Sequence, residues 1–257
     1  MSVGAVVFDV SGTVIDFGSR GPVAAFVELF RRHGFSITEE QARRPMGVHK
    51  KDHIRAVLED ARIPWSGALL ESMYQEFIPL QTEVLRSHCD LIPGVLATVE
   101  ALRTRGIPFA CTTGFVSPMM RELIPAVTEA GFRPQIFVTP DQVGSEGRPS
   151  PRMLQLAART MNIEPMSRIV KVGDTPVDVA EGRNAGTWTV SVIDSGNEVG
   201  LSRDQLAAFA PAERDARIAA ARARLAAMNP HYLIASVADL LPVLDEIGRR
   251  IDKGEQP

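Results

Sequence analysis

Asp9 closes the uncharged run Val6-Val7-Phe8 and is followed by Val10-Ser11-Gly12-Thr13. A carboxylate there can attack an electrophile, ligate a metal or do both; the structural alternative is an aspartate that caps a turn. Asp174 and Asp178 lie in Gly173-Asp174-Thr175-Pro176-Val177-Asp178. Two carboxylates that open a helix can share a cation with Asp9, and magnesium favours a few carboxylates plus phosphate oxygens. They can equally serve as a helix cap and a first-turn acid. Thr112, Thr113 and Gly114 offer hydroxyl and N–H groups suited to a phosphate. Arg148, between Gly147 and Pro149, can add charge to that phosphate or remain an exposed loop arginine.

A lysine completes the set. If residues 46–53 are helical, Met46, Lys50 and His53 share one face. Lys51 then points about 100° away, and Gly47 loosens the first turn. A free lysine titrates near ~10.4 and is almost wholly protonated at neutral pH. Flanking His49, Lys51 and Arg55, with partial burial, lower that value; the plain alternative is a solvated surface charge.

These residues need elements to carry them. The run ending at Asp9 reads as a buried central strand. Val23, Phe26, Val27 and Phe30 mark a helix that begins near Pro22 and stops at Gly34. Thr38-Glu39-Glu40-Gln41 has capping-box spacing. Further helices are expected at 50–62 and 66–85, so residues 21–90 read as helices only. From Pro93 the pattern alternates: helices at 95–105, 118–130, 151–161 and 176–185, strands at 109–113, 136–139, 169–173 and 188–193. The segment 212–228 reads as a solvated amphipathic helix, followed by a strand at 232–235 and a helix at 237–251. This alternation predicts an α/β fold with a doubly wound, Rossmann-like parallel sheet. The simplest account of the all-helical block is a cap inserted into the first crossover. Asp9, Thr113, the 139–148 loop and Asp174 then converge at the carboxyl ends of strands, where such sheets bind ligands.

Composition narrows the partners. A net charge of −3 gives no basic field for nucleic acid. No apolar run is long enough to span a membrane. Cys89 and Cys111, the only cysteines, offer no disulfide framework, and no leader pattern opens the chain, so a cytoplasmic setting is expected.

At Asp9–Thr13, Thr113-Gly114, Arg148 and Gly173-Asp174 with Asp178, the chain resembles the haloacid dehalogenase superfamily. Within it, it is most similar to the phosphonoacetaldehyde hydrolase family. That likeness is carried by Phe8–Thr13, Pro45-Met46-Gly47-Val48-His49-Lys50-Lys51-Asp52-His53-Ile54-Arg55, Thr112-Thr113-Gly114, Gly147-Arg148-Pro149, Lys171–Thr175 and Glu181–Gly186. The resemblance implies a catalytic core of residues 1–18 and 91–257 and a helical cap of residues 19–90. It implies Asp9 as nucleophile, with Mg2+ held by Asp9, the Ser11 carbonyl and Asp174 and supported by Asp178. Thr113, Gly114 and Arg148 would bind the phosphonyl group. Lys50 would form a Schiff base with the substrate aldehyde, with Met46 and His53 lining that site. It also implies a small-molecule phosphonate substrate and a homodimer paired through the caps. The chain departs from the family at Val10, Ser11, Ser19 and Phe115, where a tryptophan, a small apolar residue, a cysteine and a tyrosine are usual.

Chemistry bears on the choice of reaction. Most phosphate-ester hydrolases of the superfamily carry an acid two residues after the nucleophile; here that position is Ser11. Without it, P–O cleavage forgoes general-acid help of roughly 10²–10⁴-fold. A P–C bond instead leaves as a carbanion, which a protonated imine can absorb as an enamine. The expected reaction is hydrolysis of phosphonoacetaldehyde to acetaldehyde and phosphate through a Lys Schiff base and an aspartyl-phosphate. The alternatives are a P–O phosphatase acting on a small phosphorylated metabolite, a metal-free Schiff-base lyase, and a non-catalytic phosphate-binding module.

Overall fold

The computed structural model describes residues 3–144 and 146–257. Strand β1 (Ala5–Phe8) is followed by four helices, α1 (Arg20–Arg32), α2 (Glu39–Arg43), α3 (Lys50–Asp60) and α4 (Gly67–Leu85). Helix α5 (Val95–Thr104), β2 (Phe109–Thr112), α6 (Ser117–Glu129), β3 (Phe137–Val138), α7 (Arg152–Met161), β4 (Ile169–Gly173), α8 (Pro176–Asn184) and β5 (Trp188–Val192) then alternate. The chain ends with α9 (Arg203–Ala208), α10 (Pro211–Ala226), β6 (Tyr232–Ile234) and α11 (Leu240–Asp252). Helix α9 is absent from the sequence expectation. It is one capped turn and a half, held by a Ser202–Gln205 capping box and burying only Leu206, too short for periodicity to reveal. Helix α10 is mostly solvated as expected, but Ala221 and Leu225 pack with Ile193.

The six strands run in the order β3-β2-β1-β4-β5-β6, all parallel. The chain switches sides at β1, which lies between β2 and β4. Phe8 is level with Cys111 on one side and Val172 on the other. The next residues, Asp9, Thr112 and Gly173, therefore sit at one height on the carboxyl edge, beside the switch point.

The four inserted helices pack on one another and are continuous with the core on this face of the sheet. Val23, Phe26, Leu29 and Phe30 of α1 are buried with Met73, Phe77 and Leu80 of α4. Phe26 stacks on Phe77 at 4.3 Å and on His53 at 3.8 Å. Truncating such a ring to alanine costs about 3–5 kcal/mol. The two stretches that join these helices to the sheet run side by side. Ile15 bridges Leu91, Asp16 N–H donates to Asp90 O at 3.2 Å, and Ile92 N–H donates to Val14 O at 2.9 Å. The Asp16 carboxylate accepts the first two amides of α1, from Arg20 and Gly21, both at 3.1 Å.

A clasp ties α2 to the loops on the other side. The Arg43 guanidinium donates to Gly18 O and Gly200 O, both at 2.7 Å. The Asn197 side-chain amide donates to Arg43 O at 3.2 Å. Gly47, in the turn before α3, has φ +94°, and a Cβ there would come within 2.8 Å of Thr175 Oγ1. That left-handed turn lets the backbone at Gly47 lie directly against Thr175.

Candidate active site

Asp9 leaves the sheet as the residue after β1 and is 6% exposed. Gly12, at φ +83°, turns the chain back, and a Cβ there would meet Asp174 Oδ2 at 2.3 Å. Only glycine fits this loop, and the fit brings the loop onto Asp174. Ligand atoms of Asp9, Asp174 and Asp178 all lie within 4.8 Å of one another.

Arg148 is buried, not an exposed loop residue. Its Nη1 pairs with Asp9 Oδ1 at 2.7 Å and with Asp178 Oδ1 at 3.1 Å. Its Nε pairs with Glu181 Oε2 at 2.9 Å, and Nη2 donates to the Thr112 carbonyl at 2.6 Å and hydroxyl at 2.9 Å. Lys171 Nζ lies 3.0 Å from both Asp178 Oδ1 and Glu181 Oε2, and 2.8 Å from the Thr112 hydroxyl. Lys171 and Glu181 are site residues to which sequence reasoning assigned no role, and the Thr112 hydroxyl, expected to face a phosphate, is instead taken up by Arg148, Lys171 and Glu181. A lysine inside the apolar strand Ile169-Val170-Lys171-Val172 was the available signal, because a charge buried in a parallel sheet needs a partner.

These contacts decide where charge remains. Burial favours the neutral form of Asp178, but Arg148 and Lys171 together hold its carboxyl below the usual value. Arg148, Lys171, Asp178 and Glu181 thus balance one another. Burial raises the Asp9 carboxyl, against the pull of Arg148. Asp174 is pushed well up by burial and then by Asp9 and Asp178. It receives only neutral donors: Thr13 Oγ1 at 2.9 Å, Asn197 N–H at 2.8 Å and Ser19 Oγ at 3.4 Å. Two buried carboxylates with a shortage of positive charge fit a divalent cation, which favours their ionised form.

Thr113 takes its place beside Asp9 through its N–H, which donates to Val138 O at 3.1 Å; its hydroxyl accepts Phe115 N–H at 3.1 Å. The Ser11 hydroxyl turns away from the site and donates to Asp16 Oδ2 at 2.9 Å.

Lys50 is the first residue of α3 and is 2% exposed. Its Nζ sits over the rings of Phe115 at 5.1 Å and Phe26 at 5.6 Å. Burial lowers its pKa to about 8, with Asp9 opposing and Arg148 assisting. Desolvation, not the flanking cations, is the dominant cause. Lys51 is on the exposed side, paired with Glu71.

Met46 and Lys50 line one cavity with Asp9, Ser11, Thr113, Gly114, Phe115 and Arg148. Its volume of about 20 Å³ holds about one water. His53 is not part of that lining. Its Nε2 bonds Ala42 O at 2.8 Å and its ring stacks on Phe26, so it supports the wall behind Lys50. Met46 also differs from the single-face expectation: α3 starts only at Lys50, so Met46 reaches the cavity from the preceding turn.

The arrangement combines a carboxylate at a switch point, a buried arginine, an acidic pair suited to a cation, and a desolvated amine on the opposite wall. Residues 3–186 match the haloacid dehalogenase-like hydrolases. A phosphonoacetaldehyde hydrolase from Aeromonas hydrophila subsp. hydrophila is 40% identical over 266 residues, spanning 99% of this chain and 95% of that protein. One from Paraburkholderia phytofirmans is 39% identical, spanning 99% of each. The crystal structure of a phosphonoacetaldehyde hydrolase-like protein from Oleispira antarctica superimposes with a TM-score of 0.97 at 37% identity, covering 100% of this chain and 96% of that one. On fold, site and sequence together, the chain belongs to the haloacid dehalogenase-like hydrolases and, within them, to the family of the phosphonoacetaldehyde hydrolases.

Proposed function

We propose that this protein hydrolyses the P–C bond of phosphonoacetaldehyde, giving acetaldehyde and phosphate. The observation that carries this reading is the placement of Lys50. A desolvated amine faces the same cavity as Asp9, where a P–O phosphatase has no use for it. In the first step the neutral Lys50 amine adds to the aldehyde and water is lost, leaving a protonated imine beta to phosphorus. The Asp9 carboxylate then attacks phosphorus. The P–C electron pair moves into the iminium, giving an enamine on Lys50 and an acyl phosphate on Asp9. Water cleaves the acyl phosphate to release phosphate; the enamine is protonated on carbon and hydrolysed to acetaldehyde. Arg148, with Thr113 and Gly114, orients the phosphonyl oxygens. Mg2+ would be held by Asp9, the Ser11 carbonyl and Asp174, with Asp178 in support, and would offset the repulsion between carboxylate and phosphonyl group.

Residues 19–90 act as a cap that opens for substrate and closes to exclude water. The paired linkers at Ile15 and Leu91 form its hinge. Family resemblance supports a homodimer paired through the caps. The free Cys89 and Cys111 are in keeping with a cytoplasmic enzyme. No helix among the described residues is long and apolar enough to cross a membrane.

Phosphate release from phosphonoacetaldehyde, measured beside a panel of small phosphate esters with Mg2+, tests the reading. Borohydride added during turnover should leave a secondary amine on Lys50. Rapid ester hydrolysis with no adduct and no aldehyde product would sink it in favour of the P–O phosphatase.

A further inference from the structure

We propose that Lys171 and Glu181 are positioning residues for the phosphorus chemistry at Asp9: with Asp178 they close a buried ring of alternating charge that fixes the Arg148 guanidinium, Nη1 toward Asp9. The ring runs from Arg148 Nη1 to Asp178 Oδ1 at 3.1 Å and on to Lys171 Nζ at 3.0 Å. It continues to Glu181 Oε2 at 3.0 Å and returns to Arg148 Nε at 2.9 Å. Each of the four side chains is at most 2% exposed. The Thr112 hydroxyl ties the ring from its middle: Lys171 and Arg148 lie 2.8 and 2.9 Å away, and Glu181 lies 3.1 Å away to receive its proton.

Arg148 needs such support because it stands in the loop before α7, not on a strand or helix. A planar guanidinium held along two edges cannot rotate. Glu181 from α8 holds the Nε edge and Thr112 from β2 holds Nη2. Lys171, from β4, holds the two acids. A loop residue is thereby referenced to the central sheet, and Nη1 alone faces the nucleophile, at 2.7 Å. Misplacement of such a group by about 1 Å can cost 10²-fold in rate.

The inference rests on Asp9 and Arg148 serving a phosphorus-bearing substrate, whichever bond is cleaved. The double variant Lys171→Met/Glu181→Gln removes one charge of each sign and leaves no new unpaired charge, which favours retention of the fold. It should melt within a few degrees of the wild type and still trap the aldehyde on Lys50 with borohydride. Its kcat should fall about tenfold to a hundredfold, as for other groups that orient an active-site residue. Its affinity for inorganic phosphate, by calorimetry, should fall in parallel. Glu181→Asp keeps the charge and shortens the reach, and should lose kcat in the same direction; it carries the test if the double variant does not fold. Turnover is read on phosphonoacetaldehyde or, where that is inert, on the ester that the wild type hydrolyses, so failure of the proposed activity does not stand in for failure of the ring. Turnover within threefold of the wild type in both variants overturns the inference. So does a loss that only tracks a fall in melting temperature.

Discussion

Replacing Lys50 by methionine should inactivate the protein and make it more stable. The pKa of Lys50 falls from 10.5 to about 8 through burial. A lysine depressed in this way holds fewer protons folded than unfolded, so it destabilises the folded state below its folded pKa. The penalty fades as pH rises from there toward the unfolded value. A drop of about 2.5 units at 1.36 kcal/mol each is about 3 kcal/mol at pH 7, falling to about 1 kcal/mol at pH 9.5. Methionine is similar in volume, carries no charge, and keeps contact with Phe26 and Phe115. At about 2–4 °C per kcal/mol for a chain of this size, the melting temperature should rise by about 6–12 °C at pH 7. Calorimetric scans of both proteins at pH 7 and 9.5 check the gain and its shrinkage, and phosphate release checks the inactivation. A variant less stable than the wild type at pH 7, or a difference that does not change with pH, would refute the reasoning that Lys50 is held against its hydration.

Asp9→Asn should lower phosphate release below about a thousandth of wild type, with the fold retained because Arg148 keeps Asp178 and Glu181 as partners; borohydride should still mark Lys50, and loss of that adduct would contradict separate roles for the two walls. Ser11→Ala should keep phosphonoacetaldehyde turnover within about threefold, since its hydroxyl serves Asp16, and should cost about 1 kcal/mol in denaturant melts; a loss beyond about 10²-fold would point to a general acid. Lys51→Ala should leave turnover unchanged and alter stability by less than about 1 kcal/mol, because its pair with Glu71 is exposed. Chelation should stop phosphate release and lower the melting temperature, and Mg2+ should restore both.

Much of this was legible in the chain. Apolar runs ending in Asp9 and in Gly173-Asp174 gave the two central strands, because a parallel sheet buried on both faces tolerates no polar alternation. The spacing of Thr38 and Gln41 gave α2 through its capping box. Other features depend on contacts distant in sequence. Arg148 reads locally as a loop arginine; its burial is set by Glu181, 33 residues away, and by Thr112, 36 away. His53 has the spacing of a cavity residue relative to Lys50, yet Phe26 of another helix claims its ring. The low pKa of Lys50 is expected in sequence from its charged neighbours with partial burial; its burial is nearly complete and supplies the larger effect.

The clasp of Arg43 on Gly18 and Gly200 reaches beyond holding two layers together. The cavity has space for about one water, so on the proposed opening of residues 19–90 a ligand would bind only to molecules in which that contact has parted. The apparent dissociation constant is then the intrinsic one divided by the open fraction. Every 1.4 kcal/mol of closure weakens apparent affinity about tenfold and leaves each bound-state contact as it was. Two hydrogen bonds from a guanidinium, at about 1.5–3 kcal/mol apiece, span two decades or more of ligand concentration. On that proposal the range of substrate concentration to which the protein responds would be written partly in Arg43, outside the cavity at Asp9, and a single exchange there should shift that range without altering the chemistry at Asp9.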